Sequence, residues 1–219
     1  VILLSDPRVA AVPSADDGDP LVDLRDVPEL LLDGRAADPA GTYALLRAAV
    51  VERLIAAQAT LPVGVRLLVV EGYRPVAAQE AIVAAYRAEL RAAHPEWTDA
   101  RLAVETSKFV SPVEVMPHGT GGAVDLTLCT TDGVELDLGT PVDATPEASG
   151  DACFFAAPGI SAAARANRRL LADALGGAGL VNYPTEWWHW SYGDRYWALL
   201  TGAPATRYGP VRPAADAIR

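Results

Sequence analysis

Apolar residues recur at helical spacing in three stretches of the chain. In residues 42–59, Leu45, Ala49, Val50, Leu54 and Ile55 share one side of a 3.6-residue repeat among good helix formers. That pattern predicts a helix closed by Leu61-Pro62 and Gly64. Residues 76–93 predict a second helix stopped by His94-Pro95. Residues 161–175 predict a third, basic at Arg165, Arg168 and Arg169 and ended by Gly176-Gly177. Thr98-Asp99 is a suitable opening for a shorter helix within 97–110. Four runs have strand character instead: 65–70, 123–128, 134–138 and the aromatic run 186–192. Asp132-Gly133 suits a hairpin turn between the second and third of these. Residues 21–24 form one short strand in an otherwise irregular first forty residues, and the Pro-rich tail after Ala203 is expected to wrap the surface. With no internal repeat, low-complexity linker or charge block, residues 1–219 read as one domain. Helices interspersed with a strand hairpin predict an α+β fold, a mainly antiparallel central sheet flanked by helices.

Composition narrows the function classes. The 219 residues are 51% hydrophobic and 21% charged, enough apolar material to fold without a covalent staple. A formal charge of −10 excludes the basic face that nucleic acid requires. No apolar run approaches the ~18 residues of a membrane span. Cys129 and Cys153 stand in no metal or redox motif and read as two unpaired thiols of a reducing compartment. The opening residues carry Asp6 and Arg8 and lack the features of a signal peptide. The expected location is cytoplasmic, with a secreted or periplasmic one the alternative where a leader precedes this sequence. Nothing in the sequence sets the oligomeric state.

Three histidines are present. His94 ends a predicted helix, where an imidazole serves the last carbonyls. His118 opens a Gly-rich turn that feeds the strand 123–128. Alternation along that strand puts Ala123, Asp125 and Thr127 on one face and Val124, Leu126 and Leu128 on the other. The apolar face can enter the core while Asp125 faces a cleft with His118, as a pair of ligands to zinc or another divalent ion. The competing reading is an Asp that caps or pairs with a surface His. Glu186 precedes His189 by three residues, a spacing that can set a general base beside a metal ligand. On a straight strand the two would face oppositely, so Pro184 or a bend at Glu186 must reorient the carboxylate. The competing reading there is an aromatic core strand with a satisfied His. Arg74, fixed by Pro75 in the turn after a buried strand, is either an oxyanion donor or a structural partner of Glu71 or Glu80.

The segments EGYRP (71–75), PHGTGGAVDLTL (117–128) and EWWHW (186–190), in this order, resemble the zinc D-Ala-D-Ala dipeptidases. These belong to the wider zinc D,D-peptidase family, which shares a fold with the hedgehog signalling domain. The resemblance runs from about residue 21 to 192. The family pattern Ser-x-His-x-x-Gly-x-Ala-x-Asp matches at His118, Gly121, Ala123 and Asp125, and Glu-x-x-His matches at Glu186 and His189. It implies one zinc held by His118, Asp125 and His189, Glu186 as base and Arg74 as transition-state stabiliser. Asp143 would hold the free amino group of a dipeptide, a role that rests on the resemblance alone. Two positions depart from the pattern. Met116 stands where the family has a Ser donor, and Asp26 follows Asp23-Leu24-Arg25 where the family has a Tyr. Both count as altered substrate-pocket positions.

The reaction implied is zinc-dependent hydrolysis of D-Ala-D-Ala or a related short peptide. The alternatives are a zinc D,D- or L,D-carboxypeptidase on muropeptides, a biosynthetic tailoring peptidase, and a non-catalytic zinc module that binds peptide.

Overall fold

The computed structural model describes residues 1–211; residues 212–219, the end of the Pro-rich tail, lie outside the described residues. In chain order its helices and strands are α1 (Pro7–Ala11), β1 (Leu21–Asp23), β2 (Leu31–Leu32), β3 (Leu45–Arg47), α2 (Ala48–Thr60), β4 (Val65–Glu71), α3 (Val76–Ala93) and α4 (Asp99–Thr106). There follow β5 (Ala123–Thr130), α5 (Pro146–Ser149), α6 (Ala162–Gly177), β6 (Val181–Asn182), β7 (His189–Ser191) and α7 (Arg195–Thr201). One sheet has the order β2-β4-β5-β7-β6, with β2 parallel to β4 and every other pairing antiparallel. A separate ribbon pairs β1 with β3. The architecture is the α+β one the sequence predicts.

Strand alternation decides which face of the sheet is dry. Val124, Leu126 and Leu128 of β5, Leu67 and Val69 of β4 and Trp190 of β7 join Val50, Leu54, Leu171 and Leu175 of α2 and α6 in the main core. Each buried aliphatic side chain there contributes about 1.5–3 kcal/mol. Asp125 and His189 lie on the opposite face, directly across from each other in the β5–β7 ladder. On β4 the alternation is broken on purpose. Val69 pairs with Leu126 and Glu71 with Asp125, with a register shift between them. The extra residue, Val70, makes a bulge that turns Glu71 from the core face to the face of Asp125.

Several boundaries differ from the pattern-based expectation. Residues 42–47 are not helical. Thr42–Ala44 is a 3-10 turn and Leu45–Arg47 a strand, because the Tyr43 and Leu45 carbonyls accept from the Gly72 and Tyr73 amides. Tertiary pairing there overrides helix propensity. The first forty residues contain α1, N-capped by the Asp6 carboxylate. Residues 134–138 form no strand; after the Asp132-Gly133 turn only Glu135 bridges back to Cys129. Gly176 and Gly177 lie inside or at the end of α6, and the left-handed residue beyond it is Gly179 (φ 85°). The aromatic run is a strand only over His189–Ser191. Cys129 and Cys153 are both free thiols, and both are buried. His94 is structural, stacked on Trp97 with ring centroids 3.8 Å apart. The start of the tail is docked: Tyr208 is fully buried and the Thr206 amide donates to the Pro13 carbonyl.

The chain between β5 and α6 is tied down by one buried residue. Arg168 of α6 is 1% exposed and, among the described residues, has no carboxylate partner. Its Nε donates to the Leu138 carbonyl (2.7 Å), Nη1 to Phe154 (2.6 Å) and Nη2 to Ala152 (2.8 Å). Burial pulls the guanidinium down to about 10, so it stays charged at neutral pH. It clamps both ends of the loop that carries Asp143. Replacing Arg168 with Met leaves those carbonyls unsatisfied and is expected to cost about 3 kcal/mol. For a chain of this size that lowers Tm by roughly 6–12 °C. Thermal unfolding followed by circular dichroism checks this, and an unchanged Tm would show that the clamp is dispensable.

Candidate metal and active site

The two halves of the site come from β5 and β7. In the turn before β5, His118–Thr120 forms a 3-10 helix closed by Gly121 in the left-handed region (φ 70°). This folds His118 back over the strand, and its Nδ1 donates to the Gly72 carbonyl at 2.7 Å. A carbonyl only accepts, so the proton is on Nδ1 and the lone pair of Nε2 is turned inward. Residue 72 has to be glycine, since a Cβ there would lie 2.4 Å from the Leu45 carbonyl oxygen.

The approach to β7 supplies the bend that the spacing of Glu186 and His189 requires. The Glu186 amide donates to the Tyr183 carbonyl and the His189 amide to the Glu186 carbonyl, two successive turns. Asn182 braces them by donating to the Glu186 and His189 carbonyls, each at 2.9 Å. Glu186 and His189 therefore face the same way, with Glu186 Oε2 3.8 Å from His189 Nδ1.

Three side chains converge. His189 Nδ1 lies 3.0 Å from Asp125 Oδ1 and 3.1 Å from His118 Nε2, and His118 Nε2 lies 3.3 Å from Asp125 Oδ2. All three residues are buried. Burial alone would disfavour a charged His118, but the neighbouring Asp125 carboxylate reverses this and raises it. Burial likewise works against a charged Asp125, and the two imidazoles overcome it, holding the carboxyl well below its usual range. Two imidazole nitrogens and a carboxylate oxygen crowded in a dry pocket are a donor set for one divalent cation. It matches the three-ligand set of a catalytic zinc site with an open fourth position. The residues fit a metal; its identity is not set by them.

These ligands line one cavity of about 200 Å³ together with Glu71, Arg74, Asp143, Glu186, Ser111, Leu4, Ile82, Phe109, Val110 and Pro117. Burial, reinforced by the carboxylates of Asp125 and Asp143, holds Glu186 well above its ordinary value. Asp143 sits at the rim with a left-handed backbone (φ 63°). Desolvation, then the carboxylates of Asp125 and Glu71, raises its carboxyl above the ordinary range.

Arg74 has the structural partner Glu71 that one of its two sequence readings expects. Its Nε donates to Glu71 Oε1 (2.8 Å) and its Nη2 to Glu71 Oε2, while the residue still lines the cavity. Burial opposes its charge, and the bidentate carboxylate outweighs that, raising it further. Nη1 donates to Gln79 Oε1 at 2.9 Å, and Gln79 Nε2 donates to the Ser111 carbonyl (2.9 Å) and Oγ (3.1 Å).

The cavity thus gathers His118, Asp125, His189, Glu186, Arg74 and Asp143. Met116 and Asp26 are not among its lining residues. Met116 is buried beneath the turn, where its side chain occupies the space a Cβ on Gly119 would need. Asp26 is exposed in the short 3-10 turn after β1. Sequence reasoning overlooked Gln79, Ser111, Asn182 and Leu4. Only Gln79 carried a signal, as a polar position on a helix face that the fold buries.

Comparison with known proteins agrees with this geometry. Residues 28–202 match the peptidase M15 family, described as D-Ala-D-Ala dipeptidase. A D-alanyl-D-alanine dipeptidase of Synechocystis is 30% identical over 86% of this chain and 87% of its own length. The Escherichia coli enzyme of that name is 33% identical over 58% of this chain and 54% of its own. A solved LD-carboxypeptidase, LdcB, is structurally similar only loosely, with a TM-score of 0.46 and 17% identity over 93% of this chain and 86% of its own. With four-fifths of its length matched and the ligand set assembled, the chain belongs to the M15 family of D-alanyl-D-alanine dipeptidase-type metallopeptidases.

Proposed function

We propose that this protein hydrolyses D-Ala-D-Ala, or a closely related dipeptide with a free N-terminus, using one zinc ion held by His118, Asp125 and His189. Zinc in such a site lowers the pKa of its bound water to about 7 and polarises the scissile carbonyl. The observation that carries the reading is the placement of Glu186, buried in the same cavity 3.8 Å from a ligating ring. A module that only bound peptide would gain nothing from a buried carboxylate there.

Glu186 accepts the proton of the attacking water and returns it to the leaving amine. A carboxyl held above its usual range suits a group that must do both near neutral pH. Arg74 has three of its five N–H groups engaged by Glu71 and Gln79, which leaves two to meet the oxyanion. Because those three bonds fix the guanidinium, it needs no reorganisation as charge develops. Asp143, which lines the cavity, pairs with the substrate ammonium. The cavity of about 200 Å³ is below the roughly 300–1,000 Å³ of drug-sized sites, which favours a dipeptide over a muropeptide.

With zinc-loaded protein and D-Ala-D-Ala, release of free D-Ala is expected, and N-acetylation of the substrate should abolish it. Glu186→Gln should lower kcat by roughly 10²–10⁴-fold while zinc content stays at the wild-type level. Retained turnover would remove Glu186 as the base. Arg74→Ala should lower kcat by about 10²–10³-fold; an effect confined to KM would contradict its oxyanion role.

A further inference from the structure

The network behind Arg74 fixes the direction of a hydrogen bond inside the cavity. A guanidinium can only donate, so the atom of Gln79 that faces Arg74 Nη1 must be the amide oxygen. The amide nitrogen then faces Ser111 and donates to its carbonyl and to its Oγ. Ser111 Oγ is thereby an acceptor from Gln79, and its own proton has no acceptor among the described residues. Ser111 is buried, lines the cavity and is held on two sides by Gln79, which is 1% exposed. The hydroxyl is left as a fixed donor aimed away from Gln79.

The rest of the lining says what such a donor is for. Besides the three candidate ligands, the polar side chains of the cavity are Glu71, Asp143, Glu186, Arg74 and Ser111. Three of these five are carboxylates, which repel an anionic group. On the dipeptidase reading above, the substrate ammonium is met by Asp143 and the developing oxyanion by Arg74. The substrate carboxylate then needs a donor of its own, and Ser111 is the remaining one. Met116 offers none, being a thioether packed under Gly119.

We infer that Ser111 binds the C-terminal carboxylate of the dipeptide through its hydroxyl, and that Gln79 is the positioning residue that sets the polarity of this bond. The chain Glu71–Arg74–Gln79–Ser111 then orients the oxyanion donor and the carboxylate donor as one unit. Substrates with a free C-terminus gain a charge-assisted hydrogen bond; C-terminal amides gain only a neutral one.

The test compares D-Ala-D-Ala with its C-terminal amide on zinc-loaded wild type, Ser111→Ala, Ser111→Thr and Gln79→Glu, each checked for an unchanged thermal melt. Wild type should prefer the free acid. Ser111→Ala should lower kcat/KM for the acid by roughly tenfold or more, through KM, with the amide little affected. Ser111→Thr, which keeps the hydroxyl, should retain the preference. Gln79→Glu should lose it although Ser111 is intact, because a carboxylate there accepts from both Arg74 and Ser111 and turns the hydroxyl proton away from the substrate. Equal effects of Ser111→Ala on acid and amide, or none, would overturn this inference and leave the dipeptidase reading standing. A wild type that cleaves no dipeptide would overturn both.

Discussion

A carboxylate and two imidazoles held within 3.0–3.3 Å of one another in the dry interior are the constraint on which the rest of this molecule depends. Desolvating three such groups is unfavourable unless a charge satisfies them together. The β5–β7 pairing sets Asp125 opposite His189, and the Gly72 carbonyl turns the lone pair of His118 onto both. A divalent cation would satisfy all three groups at once, which makes this geometry a candidate metal site.

The surrounding structure keeps those groups in register and adds chemistry to them. A single extra residue in β4 brings Glu71 to the site, where it fixes Arg74. Two successive turns before β7 bring Glu186 beside His189. Arg168 clamps both ends of the loop that carries Asp143, and the Trp187 indole donates to Thr140 in the same loop at 2.8 Å. Arg74, Asp143 and Glu186 thus stand on loops or turns, each anchored to the sheet or to α6 by a buried donor. Sites held this way place charges with little freedom to reorganise, the condition under which electrostatic catalysis is strongest.

Much of this is legible in the sequence where local and global signals agree. The helix over residues 76–93 and the strand beginning at Ala123 follow from periodicity and breakers alone. His118 with Asp125, and Glu186 with His189, stand out in the sequence as candidate pairs, and it is the family resemblance that joins them into one site. What is hidden depends on partners distant in sequence. Residues 45–47 read as helix until the Gly72 and Tyr73 amides pair with the chain there. Gln79 and Ser111 are thirty-two residues apart and gain meaning only through Arg74. The expectation that Met116 and Asp26 alter the pocket rests on the family resemblance alone; neither is among the residues that line the cavity.

The most direct test of the central claim is calorimetric titration of zinc into chelator-stripped protein. The account predicts one zinc bound per chain at neutral pH, with binding weakened by roughly a hundredfold or more when Asp125 is replaced by Ala. No saturable zinc binding, or binding that is indifferent to Asp125 and His118, would contradict it.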